Sequence, residues 1–278
     1  MNTLAQTFLK NGGIACDVSI IKEAQNILLF GGFVEGFKRI LENMESKNNV
    51  FLLSPLRFNP YNFTQFVYEV GAEEAVVALL AYGFSASDVG IKEVEGLKDK
   101  ALQEFVKTLD VGYLSSECNF AEEELQEIVK GYVERGLVLV VGEDLATHKN
   151  ASNIAKILAL LSVRDLKIVF LDSKVNAVSL EREEIKPLGD LKSYDGLVVY
   201  VPKESKKGNI LEVSKQFCNV SKMQDGAKVK VKLESHQEIL AQMQCNAILK
   251  GMVGILWISR EVLQKNFCYQ LVSLSKVA

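Results

Sequence analysis

The apolar positions of this chain follow one pattern that recurs three times in its first part: a short continuous apolar run, a glycine- or proline-bearing turn, and a stretch at helical spacing. The clearest copy runs from Leu137-Val138-Leu139-Val140-Val141-Gly142 through Glu143-Asp144-Leu145-Ala146-Thr147-His148 into a helix expected over residues 150–161, then to Lys167-Ile168-Val169-Phe170-Leu171-Asp172. That is a βαβ unit. Two further strands are expected at Asn26-Ile27-Leu28-Leu29-Phe30, followed by Gly31-Gly32, and at Val50-Phe51-Leu52-Leu53, ended by Ser54-Pro55. Ile27 to Phe30 and Val50 to Leu53 are continuous apolar runs, as expected for strands covered on both faces.

Helices are expected over residues 34–44, 69–82, 97–109 and 122–135. The 69–82 segment is apolar nearly all round, so it is either core or a surface covered by a partner. Glu122-Glu123-Glu124 complements the dipole at a helix start, and Gly136 ends that helix. Residues 58–66 read as an aromatic and polar loop, 85–96 as a linker, and 110–120 as an irregular loop. The pattern changes near Pro187, after which short strands replace long helices, at 196–201, 211–217, 227–233, 248–258 and 267–274. Lys228-Val229-Lys230-Val231-Lys232-Leu233 alternates strictly, so one of its faces is wet. The expected fold is α/β, an open mostly parallel sheet with flanking helices over residues 1–186, followed by a small β-barrel-like domain over 187–278.

Composition narrows the function classes. The chain has 278 residues, 48% of them hydrophobic, and a net charge of -3 from 32 basic and 35 acidic residues. A nucleic-acid backbone would find no basic surplus here. No apolar run reaches the roughly 18–20 residues of a membrane span, and residues 1–13 hold a soft amphipathic pattern without a signal-peptide core. The expected location is cytoplasmic. Cys16, Cys118, Cys218, Cys245 and Cys268 form no C-x-x-C pair, so zinc and iron–sulfur spacings are missing and free thiols are expected.

Candidate chemistry sits at strand ends, where open α/β sheets bind ligands. Gly31 and Gly32 open a helix, a turn that can hold a phosphate or flavin or, as the residues beside it favour, is an ordinary tight turn. It lacks G-x-G-x-x-G and a Walker lysine, and Phe33 and Glu35 add bulk and negative charge beside it. Gly142 ends the second strand, with Glu143 or Asp144 placed for a ribose or, alternatively, as a solvated helix cap. His148 and His236 read as solvated loop residues. Glu122 to Glu124 and the charged run 181–184, which includes Arg182, read as solvated faces rather than metal ligands. Catalytic and metal residues are therefore expected to be absent, and Gly31, Gly32 and Gly142 are the cofactor-binding candidates.

Several segments together resemble a known family. Val141-Gly142-Glu143-Asp144-Leu145-Ala146-Thr147-His148-Lys149-Asn150-Ala151-Ser152-Asn153-Ile154-Ala155 resembles the strand–helix segment of the molybdopterin-oxidoreductase fold, whose next strand ends near an asparagine, here Asn176. Tyr194-Asp195-Gly196-Leu197-Val198-Val199-Tyr200 and Leu249-Lys250-Gly251-Met252-Val253-Gly254 resemble strands of the G chain of bacterial NADH-quinone oxidoreductase (respiratory complex I). Residues 69–74, 112–119 and 122–124 look similar to G chains of ε-proteobacterial type. The resemblance implies a molybdopterin-enzyme scaffold that has lost its cofactor, either a region of that chain or a small subunit related to it. It implies complex I peripheral-arm subunits as partners, a location peripheral to the inner membrane, and no cofactor. The alternative is a flavin- or nucleotide-binding module that admits electrons, with flavin mononucleotide (FMN) at Gly31-Gly32.

Overall fold

The structure, a computed structural model, describes residues 3–42, 44, 49–86, 96–162, 166–171, 179–203, 208–258 and 266–277. Most of the 85–96 linker, Asp172 and Asn176 lie outside the described residues. The chain divides into two compact units, residues 1–54 with 63–191 and residues 55–62 with 192–278. Residues 185–191 stay with the first unit because Ile185, Leu188 and Leu191 pack against its core.

The first unit is the expected α/β domain. Strands β1 (Asn26–Phe30), β2 (Asn49–Leu53), β3 (Thr64–Phe66), β4 (Val138–Val141) and β5 (Lys167–Phe170) form a parallel sheet in the order β3-β2-β1-β4-β5. The chain builds outward from β1 to β3, then returns to place β4 on the other side of β1. The carboxyl ends of β1 and β4 are thus the topological switch point. Every residue of β1 and β4 is buried, which explains their unbroken apolar runs.

The helices follow from capping and periodicity. In α1 (Thr3–Lys10), Leu4, Ala5 and Phe8 are buried at helical spacing. The segment expected as one helix over 34–44 is instead a 3-10 turn, Val34–Phe37, followed by the single turn α2 (Lys38–Leu41). Val34, Phe37 and Ile40 are all buried, and that three-residue spacing aligns on one face of a 3-10 turn. The helix α3 (Glu73–Ser85) is buried at every position but Tyr82, so it is core. Helices α4 (Gly96–Lys107) and α6 (Glu122–Arg135) match the expected periodic segments. The irregular loop expected at 110–120 is instead α5 (Val111–Cys118). Asp110 caps it by accepting the Tyr113 N–H at 3.0 Å, and Asn119 ends it in the left-handed conformation at φ 50°. Helix α7 (Ala151–Leu161) completes the βαβ crossover.

The second unit is a closed six-stranded barrel. Its strands are β6 (Leu197–Tyr200), β7 (Ile210–Val213), β8 (Lys228–Leu233), β9 (Glu238–Cys245), β10 (Val253–Trp257) and β11 (Tyr269–Lys276), in the order β10-β6-β11-β8-β9-β7. The antiparallel β7–β10 pairing closes the circle. Two of its seams, β10–β6 and β7–β9, are parallel. Closure leaves no free edge. The strand expected over 211–217 stops at Val213, where Ser214 accepts the Phe217 N–H at 3.0 Å and starts α8 (Lys215–Ser221). Strand β9 was not expected, yet Ile239, Ala241 and Met243 alternate inward along it.

Candidate functional site

The switch point is the place where this sheet could hold a ligand, and it contains Gly31, Gly32 and Gly142. The two turns are tied directly to each other. The Gly142 N–H donates to the Phe30 carbonyl at 2.8 Å, and the Asp144 N–H donates to the Gly31 carbonyl at 3.1 Å. These backbone donors of the β4 turn are therefore used by the β1 turn.

The glycines are explained by that close approach. Gly31 has φ +71°, and a Cβ there would collide with the Leu145 side chain, which is itself fully buried. A Cβ on Gly142 would overlap the backbone of Gly31 and Gly32, while one on Gly32 would press on Phe37 and on the Gly142 Cα at 3.1 Å. All three candidates come together, packed against one another and against Leu145 rather than around an open cradle. Asp144 is buried, not the solvated cap expected, because its turn is drawn under the β1 end.

Beside this contact lies a buried polar network that joins α3 to the start of α7. The Asn150 and Asn153 amides both donate to the Glu74 carboxylate. The carboxylate thus sits at the first turn of α7, where the helix dipole and the two amides favour an anion. Asn153 also closes a two-way bond with the Lys186 backbone, accepting its N–H at 2.9 Å and donating to its carbonyl at 3.0 Å. One turn further on, buried Lys156 donates to the Glu184 carbonyl at 3.0 Å and pairs with Glu183 at 2.8 Å. Lys156 holds the Glu183 carboxyl below the usual carboxylate range. The charged run 181–184 is thus partly a strap across α7; Lys10 also pairs with Glu181 at 3.1 Å.

His148 differs from the expected solvated loop residue: only 5% of it is exposed. Its Nδ1 accepts the Asn150 N–H at 3.1 Å, which places the ring proton of the neutral form on Nε2. That nitrogen lies 3.3 Å from the Gly71 carbonyl and 3.3 Å from Glu73 Oε2. The second approach has ion-pair distance without hydrogen-bond alignment, so Glu73 Oε2 is buried with no aligned hydrogen-bond partner among the described residues. Sequence reasoning missed this network because its partners are far apart in the chain; the signal available was two asparagines three residues apart at a helix start.

Elsewhere, the Cys118 thiol is pushed up to about 11 by burial, which makes it a poor nucleophile. His236 sits at φ 66° in the turn between β8 and β9, where its N–H donates to the Leu233 carbonyl at 2.9 Å. Among the described residues no group of three or more His, Cys, Asp or Glu is arranged to hold a metal ion. No helix among them is long and apolar enough to cross a membrane. No protein-family model matches the chain, and no curated protein matches it significantly.

Proposed function

We propose that this chain is a non-redox scaffolding subunit, or region, of the peripheral arm of NADH-quinone oxidoreductase, supporting electron transfer in neighbouring iron–sulfur subunits. It acts from the cytoplasmic side, held to the inner membrane through the complex. The observation that carries this reading is the switch point occupied from within. The turns carrying Gly31, Gly32 and Gly142 pack on each other and on Leu145, and Glu74 accepts from Asn150 and Asn153 at the start of α7. Switch-point turns that pack on each other suit a scaffolding role better than a cofactor held at Gly31, Gly32 and Gly142. The segmental resemblance to the complex I G chain supplies the particular assembly.

The test is isolation of the native assembly under mild conditions. Co-purification with iron–sulfur subunits of the peripheral arm is the expected result; recovery as a free monomer overturns the proposal. Titration of the folded chain with FMN and with NADH separates this reading from the electron-admitting alternative. Neither ligand is expected to bind, whereas saturable binding of either at Gly31-Gly32 favours the alternative.

A further inference from the structure

The barrel unit brings two cysteines together. Strand β9 ends at Cys245, whose register partner on parallel β7 is Val213. The chain leaves Val213 through Ser214 into α8, and the Cys218 N–H donates to the Ser214 carbonyl at 3.1 Å. Cys218 therefore stands one helical turn above the residue that follows the β9 pairing, at the same end of the barrel as Cys245. A second backbone route leads to the same place: the Met223 N–H donates to the Cys218 carbonyl at 3.2 Å, two residues before Asp225, which accepts from the Cys245 N–H. Both strand ends are pinned. The Cys245 N–H donates to Asp225 Oδ1 at 2.7 Å, and the Asn246 N–H donates to the Val213 carbonyl at 2.9 Å. Cys245 is exposed and Cys218 half-buried, whereas Cys118 and Cys268 are buried.

We propose that Cys218 and Cys245 form a paired thiol site that small-molecule disulfides convert to an intramolecular disulfide, tying α8 to the end of β9. In the first step the Cys245 thiolate attacks one sulfur of the reagent disulfide, forming a mixed disulfide and releasing one reagent thiolate. In the second, Cys218 loses its proton to solvent and attacks the Cys245 sulfur, expelling the other reagent thiol. The two cysteines lose two electrons and two protons, and one reagent disulfide becomes two thiols. Burial, the neighbouring Cys245 and Asp225 hold the Cys218 thiol protonated above its ordinary range, so closure accelerates as pH rises through the alkaline side of neutrality. A bond here fixes the helix whose Phe217 fills the barrel core.

The folded protein is treated with oxidised glutathione, then alkylated, digested with trypsin without reduction and read by mass spectrometry. The expected product is a disulfide joining peptides 216–222 and 233–250 of one chain, lost on addition of a phosphine. In Cys218→Ser the 233–250 peptide is expected to keep a single glutathione adduct, because nothing resolves it. The proposal is overturned if the two wild-type peptides carry separate adducts, remain free, or become linked between two copies of the chain.

Discussion

The two units solve the burial problem differently. In the α/β unit, β1 and β4 are covered on both faces, and turns meet so closely that three glycines have almost no latitude. In the barrel, β8 and β9 bury one face each, so Val229, Val231 and Leu233 point inward between lysines. Its turn glycine Gly226 has open space beside it. The difference teaches where substitution is felt: the first unit is constrained at its loops, the second mainly along its inward strand positions.

The largest expected effect tests that contrast directly. Gly142 has an ordinary φ of -76°, so Gly142→Ala fails for steric reasons alone, against backbone that cannot swing away. It should destabilise the first unit by about 3 kcal/mol or more, at the top of the range for overpacking. Gly226→Ala, at φ +76° in an open turn, should cost only about 1–2 kcal/mol for the left-handed conformation. Urea unfolding followed by circular dichroism measures both; equal effects would break the comparison.

Next is the buried network. Glu74→Ala leaves the Asn150 and Asn153 amides without their carboxylate, at a cost of about 1–3 kcal/mol. The exposed barrel pair Lys230–Glu238, at 3.1 Å, should by contrast lose less than about 1 kcal/mol in Glu238→Ala. Chemical denaturation of the two variants sharpens the comparison.

The smallest effect is in pH dependence. Glu183 has a lowered carboxyl, so its contribution is fully present above the ordinary glutamate range and is lost as pH falls through the depressed value. Glu183→Gln should therefore lower the neutral region of a thermal-melting curve slightly and leave its acid end nearly unchanged, which flattens the acid limb. A wild-type acid limb in Glu183→Gln would show that the strap does not depend on this pair.

Local structure is written in the chain. Continuous apolar runs marked β1, β2, β4 and β5, because burial on both faces removes polar residues from a strand. Strict alternation marked β8, and the all-round apolar 69–82 segment marked a covered helix. Other local signals lie in the sequence as well: Asp110 and Asn119 bracket α5, and Ser214 ends β7 and starts α8. Only tertiary structure decided the rest. Whether 69–82 faced a partner or the core depended on sheet packing. Barrel closure depended on the β7–β10 antiparallel and β7–β9 parallel pairings, which no short window contains. The candidate site was decided the same way. Glycine at a strand end reads alike whether it admits a phosphate or another strand's turn. The distinction lay in Leu145 and in Glu74, which reaches its asparagine partners across 76 and 79 residues of chain. Periodicity reports which face of an element is buried; it does not report what that face meets.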